Sequence, residues 1–485
     1  MKDSDKARFD ALLAWSQQHG AELHPSLEIY HDDVTKFSLR VKGSAKEGLE
    51  PGFMAVSCPV STTLSFLNAL VDGPIILGPF ADERTPAFPR RFMASAPPHV
   101  ISRFFLIKEY LKGKASFWWP YIAALPQPEH VSAWALPAFW PEDDIAYLDG
   151  TNVFVAIEEI QDHVRREFKE ARKVLKEESF PSWRDYTQML YKWAYCIFTS
   201  RSFRPSLILS GLAKDRISSL LPAGCELDDF SILQPLFDIA NHSMSSRYTW
   251  DATSDPSSCQ LICRDAYQPG DQVFNNYGLK TNTELLLAYG FILPETETLH
   301  NDYVHVRKRQ QQGESSSDQK PKDFLISLRP INHSSSLAAR ARCVSGASGS
   351  TGRLSAVPGL AHFEPALVED MSSVLATPEE KQALQQWQAC QTEERAGEQQ
   401  QQQQQQQSPP AALTELIARV KCALAGKLQY DYQRLMEAEG EHGLPEPANR
   451  NQMLAVEYRR QCERVLTAAL EELMVGEEGE EEVDG

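Results

Sequence analysis

Between Phe237 and Ser243 the chain reads FDIANHS, which sets the amide of Asn241 beside the imidazole of His242 after an apolar, strand-like run. Taken alone, such a pair is a turn asparagine next to a surface histidine. Its company makes it more than that. Some thirty residues on, DQVFNNY ends in Tyr277, and TNTELLLAYG then ends in Tyr289 and Gly290. Upstream, TSRSF (Thr199 to Phe203) closes a helical pattern with Arg201, and Asp238 stands just ahead of Asn241. The chemistry these groups offer is hydrogen bonding to a polar ligand.

Each of these side chains needs an element to hold it. DQVFNNY alternates Val273, Asn275 and Tyr277 on one side with Phe274 and Asn276 on the other, so Tyr277 is expected at a strand end. In the following helix Thr281 and Glu284 have capping-box spacing, and Gly290 is placed to adopt the left-handed stop after Tyr289. Short strands are expected at FSLRV and FMAVS, separated by the turn EGLEPG. A helix-rich stretch follows from about Pro98 to Ser200. Within it Val153, Ile157, Ile160, Val164, Phe168, Ala171 and Leu175 mark the buried face of one amphipathic helix. The Trp- and Pro-rich run before that helix reads as core anchors. An opening helix is expected from Phe9 to a stop at Gly20. Two more amphipathic helices carry Leu413, Leu416, Ile417, Val420 and Leu424, and then Leu454, Tyr458, Cys462, Val465 and Ala469 from a start near Asn449. There is no internal repeat.

At 485 residues the chain exceeds one ordinary core, so two or three domains are expected. A net charge of −18, from 48 basic and 66 acidic residues, argues against a nucleic-acid scaffold, which needs a basic face. The polar start MKDSDKARFD is not a signal peptide, and the apolar stretch near Leu64 to Phe80 is too interrupted to span a bilayer. Nine scattered cysteines, with Cys259 and Cys263 the one close pair, fit reduced thiols in the cytosol or nucleus, and no metal site is expected. Low-complexity insertions are read at 309–323, 345–353 and 397–410, and a disordered acidic tail at 476–485.

Taken in order, SRSF, DIANHS and YGLKTNTELLLAYGF resemble the split SET domain of the Rubisco large-subunit lysine N-methyltransferase class. ISRFFLIKEYLKGKASFWWPYIAALP resembles the helical insertion that splits that domain, and NQMLAVEYRRQCERVL the last helix of its substrate-binding domain. The resemblance runs from about Glu22 to Leu470. It implies an α+β fold: a SET domain of short, mostly antiparallel strands split by a helical insertion, then an all-α carboxy-terminal substrate-binding domain. The corresponding boundaries are an amino-terminal helix (1–21), SET segments at 22–97 and 206–300, an insertion at 98–205 and the last domain at 301–475. The SET core is expected to thread its carboxy-terminal segment past the Asn-His loop.

The implied cofactor is S-adenosylmethionine, and the implied reaction moves its methyl group to a lysine amine. At pH 7 about one lysine in two thousand is neutral, so deprotonation costs roughly 4–5 kcal/mol in water. A narrow apolar channel beside a sulfonium lowers that cost, and a tyrosine hydroxyl orients the amine without a carboxylate base. By resemblance, Asn241 and His242 hold the adenosyl part, Arg201 pairs with the cofactor carboxylate, and Asp238 matches an acidic cofactor-site position. Tyr277 and Tyr289 match the catalytic tyrosines, Tyr277 also touching the cofactor, with Phe291 packed beside Tyr289. One departure stands out. The family's glycine-rich GxG turn is replaced by Phe37 and Ser38, so either a side chain crowds the cofactor or the turn takes another form. The expected partner is a non-histone protein bearing the target lysine (ribosomal, translational or metabolic), with no nucleic acid or membrane partner and a monomeric enzyme. A histidine acceptor and a non-catalytic SET-fold binding protein are the alternatives.

Overall fold

The computed structural model describes residues 3–32, 36–75, 85–307, 323–345, 357–394, 409–440 and 443–474. The low-complexity insertions lie outside these residues except at their edges, and the tail 476–485 lies wholly outside them. The chain divides into two compact units, Met1–Phe139 with Ile160–Gly278, and Trp140–Glu159 with Leu279–Gly485.

In the first unit, strands β1 (Glu22–Leu23), β2 (Leu27–Asp32), β3 (Lys36–Val41) and β4 (Met54–Pro59) follow an opening helix Asp3–Gln18. Later come β5 (Ser202–Phe203), β6 (Ile232–Leu233), β7 (Tyr248–Asp251), β8 (Ser258–Cys263) and β9 (Gln272–Val273). They form an antiparallel sheet in the order β1-β4-β8-β7, a second in the order β2-β3-β9, and the pair β5-β6. In β8 the alternation is plain: Cys259, Leu261 and Cys263 are buried, while Gln260 and Ile262 lie half-covered on the other face. Both cysteines are reduced.

Strand β9 is shorter than its sequence pattern predicts. Pairing with β3 stops at Leu39↔Val273, well before Tyr277. The two asparagines that follow divert the backbone. Asn275 Oδ1 accepts from the Asn276 N–H (2.8 Å) and Asn276 Oδ1 from the Gly278 N–H (2.9 Å), with Gly278 at φ 101°. FDIANHS likewise does not leave a strand directly: β6 ends at Leu233, Leu236 takes φ 69°, and Phe237–Ile239 form a single 3-10 turn.

Most aromatics of the Trp- and Pro-rich run are core, as expected, while Phe117 and Trp119 are half-buried. Trp118 and Tyr121 are 1% exposed, and the Trp118 indole N–H donates to the Thr62 and Thr63 carbonyls, both at 3.1 Å. On the long helix Asn152–Glu177 the apolar stripe is buried at Val153, Ile157, Val164, Ala171 and Leu175. Glu167 breaks the pattern by being buried on that same face.

The second unit is not all helix. Strands β10 (Tyr303–Arg307) and β11 (Asp323–Ser327) pair antiparallel over five residues, Tyr303 opposite Ser327 and Arg307 opposite Asp323. Helices Thr414–Glu439 and Arg450–Met474 bury Leu416, Val420, Leu424 and Tyr458, Val465, Ala469 respectively. Asn449 caps the second of them, its Oδ1 accepting from the Gln452 N–H at 3.1 Å. The early segment Trp140–Glu159 is fastened here by polar contacts. The Asp144 carboxylate accepts from Asn449, Asn451 and Gln452 amides at 2.8–2.9 Å. Tyr458 donates to Asn152 Oδ1 (2.8 Å), and Arg459 donates to the Asp149 and Leu435 carbonyls. Gly150 has φ +81°, and a Cβ there would meet the Arg434 carbonyl oxygen at 2.6 Å. Asp302 is less comfortably placed. Asn282 donates to it at 2.9 Å, yet burial lifts its carboxyl to about 6 against the pull of Arg464. Among the described residues no helix is long and apolar enough to cross a membrane.

Candidate active site

The site is built on one extended segment, Gln272 to Tyr277, held on two sides. On one side it pairs with β3 through Arg40↔Gln272 and Leu39↔Val273. On the other, the Asn275 N–H donates to the Asn241 carbonyl (2.8 Å) and the Ser243 N–H to the Asn275 carbonyl (2.9 Å), a parallel bridge between His242 and Asn275. Asn275 is fully buried, and its Oδ1 accepts from the Trp250 indole at 3.1 Å. Two stretches some thirty-five residues apart in sequence therefore lie side by side.

Their side chains interlock as well. His242 Nδ1 accepts the Tyr277 N–H at 3.0 Å, so that nitrogen carries no proton and the imidazole is the neutral Nε2–H tautomer. The two rings stack at 5.0 Å between centroids and 17° between planes. The Tyr277 hydroxyl donates to the Ala240 carbonyl at 3.0 Å, which fixes the phenol over the loop that carries Asn241. The Asn241 carboxamide donates to Gln272 Oε1 at 3.3 Å, and Gln272 in turn meets the Tyr30 hydroxyl.

Arg201 ends the helix Gln188–Arg201 and reaches Asp238. Its Nη1 donates to the Asp238 carbonyl (3.1 Å) and to Oδ2 (3.3 Å), and Tyr121 donates to the same Oδ2 at 2.9 Å. The Asp238 side chain is 1% exposed and that of Arg201 29%. Burial pushes the Asp238 carboxyl up, while Arg201 and Tyr121 pull it down. For Arg201 burial pulls the other way, and the Asp238 carboxylate more than restores it, with the Tyr121 and Tyr277 hydroxyls close by. Arg201, Asp238, Asn241, His242 and Tyr277 thus occupy one neighbourhood. Tyr289 belongs to the second unit. There it ends the helix Asn282–Tyr289, whose capping box between Thr281 and Glu284 and left-handed Gly290 (φ 72°) match the sequence pattern. Phe291 packs beside it with ring centroids 6.2 Å apart, and burial pushes its hydroxyl pKa up.

Phe37 and Ser38, the departure from the glycine-rich pattern, lie within strand β3. Lys36 takes the left-handed conformation (φ 64°), and both following residues lie in regular β3 pairing. The Phe37 ring faces the opening helix, 4.6 Å from Phe9 and 5.1 Å below the Arg8 guanidinium. Ser38 points the other way, its Oγ 3.5 Å from the Asn241 N–H. The bulky residue faces away from the Asn-His loop and the small one faces it.

The donor set fits a nucleoside carrying an amino-acid tail. Arg201 spends only Nη1 on Asp238; its Nε and Nη2 bear no hydrogen bond from the described residues and suit a carboxylate. Asp238 Oδ1 is a buried acceptor without a partner among them. Asp238 is also too committed to Arg201 and Tyr121 to act as a general base. Sequence reasoning missed Tyr121 and Gln272, gave Asn275 no role in the site, and marked Ser38 only as a departure from the glycine turn. Only Asn275 carried a signal, as half of an Asn-Asn pair interrupting a strand. Tyr121 was indistinguishable from the other core aromatics.

No family model matches the chain. The chain is similar to the ribosomal lysine N-methyltransferase set10 of Schizosaccharomyces pombe, 32% identical over 289 residues that make up 59% of this chain and 46% of that protein. It is 24% identical over 321 residues to the protein-lysine N-methyltransferase EFM1 of Saccharomyces cerevisiae, covering 59% and 50%. The chain spans about half the length of these curated relatives. A crystal structure of the SET domain of LSMT bound to MeLysine and AdoHcy aligns over 98% of this chain and 93% of that one, with TM-score 0.60 and 15% identity.

Proposed function

Since the chain has the SET fold of the Rubisco LSMT structures and its relatives are SET-domain methyltransferases, we propose that it is an S-adenosylmethionine-dependent protein-lysine N-methyltransferase. The observation that carries this reading is the locked His242–Tyr277 pair, which holds a tyrosine hydroxyl over the Asn241 loop. When bound, the cofactor supplies an activated methyl group. The protein's part is then to hold, orient and dry the reactants.

In this reading the spare Arg201 donors hold the cofactor's carboxylate, with Asp238 and Tyr121 keeping the guanidinium in place. Asn241 and His242 hold the adenosyl part. Tyr277 orients the neutral lysine amine, and Tyr289 is the second catalytic tyrosine. The substrate class is a non-histone protein, a ribosomal or translation protein first. The enzyme works as a monomer in the cytoplasm or nucleus, consistent with the buried, reduced thiols of Cys58, Cys196, Cys259, Cys263 and Cys462.

The test has two stages. Calorimetry with S-adenosylmethionine and with its demethylated product is expected to give saturable binding. Incubation with a methyl-labelled cofactor and ribosomal protein, followed by fragmentation mass spectrometry, is expected to place the label on lysine. A label on histidine moves the reading to the histidine branch. No binding of either cofactor form by a protein that melts cooperatively leaves a SET-fold binding protein without catalysis.

A further inference from the structure

Away from the cofactor residues, two imidazoles converge on one buried carboxylate oxygen. His163 and Glu167 lie one turn apart on the helix Asn152–Glu177, and His99 lies at the start of the helix Pro98–Lys112. Glu167 Oε1 is 2.6 Å from His99 Nε2 and 2.9 Å from His163 Nε2, and the three atoms all fall within 4.8 Å of one another. We propose that His99, His163 and Glu167 form a binding site for a divalent transition-metal ion, zinc first.

The ligand types and their number suit zinc, which takes imidazole nitrogen and carboxylate oxygen at about 2.0–2.2 Å in a tetrahedron. In that geometry neighbouring ligand atoms stand about 3.3 Å apart. Opening the present 2.6 and 2.9 Å contacts to that spacing takes well under 1 Å each, while the two imidazole nitrogens, within 4.8 Å of each other, close toward it. The carboxylate is already oriented for the task. Its other oxygen, Oε2, accepts from Arg103 at 2.6 Å and from Tyr191 at 2.9 Å, the outer support that metal-bound carboxylates use.

An entry path is present too. The cluster lines a cavity of about 540 Å³ shared with Arg166 and Glu170. The side chains of His99 and His163 are 38% and 57% exposed. The fourth position is left to a water from that cavity. The charges of Arg103 and Arg166 offset those of Glu167 and Glu170, so the imidazoles rather than excess negative charge must supply the affinity.

The experiment is titration of the chelator-treated full chain with zinc chloride, followed by calorimetry and thermal melting. One ion per chain is expected, with a rise of a few degrees in Tm. His163→Ala, at a largely exposed position that leaves the fold intact, is expected to weaken binding at least tenfold and remove the Tm rise; His99→Ala is expected to do the same. Absence of saturable binding to the parent chain, or equal binding by both variants, overturns the proposal. The second result would assign the ion to a thiol such as the exposed Cys422.

Discussion

Replacing Tyr277 by Phe removes one oxygen atom and leaves everything else that the ring does. The phenyl still stacks on His242, and the backbone N–H of residue 277 still donates to His242 Nδ1. What is lost is the hydroxyl that donates to the Ala240 carbonyl at 3.0 Å. Tyr277 is only half-buried, so water replaces that bond and the stability cost stays within about 1 kcal/mol. Cofactor affinity is expected within about twofold of the parent. Turnover is different, because an amine that must be aimed at a methyl group loses its guide. A loss on the order of 10²-fold in kcat is expected, about 2.7 kcal/mol of transition-state stabilisation. Initial rates with a labelled methyl donor, calorimetry and a thermal melt measure the three quantities on one preparation. If the hydroxyl orients the amine rather than taking its proton, the rate ratio stays constant from about pH 7 to about pH 9. Unchanged kcat would refute the catalytic assignment. A large drop in Tm together with lost cofactor binding would instead make Tyr277 a structural residue.

Three further substitutions probe the same reasoning. His242→Ala removes both the acceptor for the Tyr277 N–H and its stacking partner, and is expected to weaken S-adenosylmethionine about tenfold; an unaltered Kd by calorimetry defeats the assignment. Phe37→Gly is expected to lower stability by roughly 2 kcal/mol, through lost packing on Phe9 and Arg8, with no gain in cofactor affinity; tighter binding would mean that the ring does crowd the site. Asp302→Asn follows from linkage. The folded carboxyl titrates near 6 rather than at the ordinary 3.8, so the parent chain loses stability as pH rises through that window and bears the full penalty above it. The variant is therefore expected to be more stable by up to about 3 kcal/mol at pH 8 and no different below pH 4; equal urea midpoints at pH 8 would contradict the buried charge.

The motif residues that one neighbourhood gathers, Arg201, Asp238, Asn241, His242 and Tyr277, were legible because each sits beside punctuation. A helix end, a turn or a strand limit flanks every one of them. The capping box at Thr281 and Glu284 was legible for the same reason: cap chemistry is local. What stayed hidden depends on partners distant in sequence. Nothing near Tyr121 announces that its hydroxyl meets Asp238, 117 residues on. The length of β9 was overread because the alternation of DQVFNNY is that of a strand, whereas two asparagine side chains compete for its backbone. The hairpin β10-β11 escaped notice among helical patterns, and Glu167 looked like one more solvated charge on an amphipathic helix. Side-chain pairing across elements, rather than periodicity, decides such positions.

The fastening of Trp140–Glu159 by residues near the far end of the chain also bears on how a ribosome must make this protein. The Asp144 carboxylate waits 305 residues for Asn449, and Asn152 waits 306 for Tyr458. At about 5–20 residues per second that is roughly 15–60 s during which an early segment is complete but its partners do not yet exist. Tyr147, whose hydroxyl donates to the Pro445 carbonyl in the finished protein, waits about as long for that partner. Vectorial synthesis thus leaves these early groups without their partners while the intervening chain is made. Slowing elongation between residues 160 and 450 lengthens that wait.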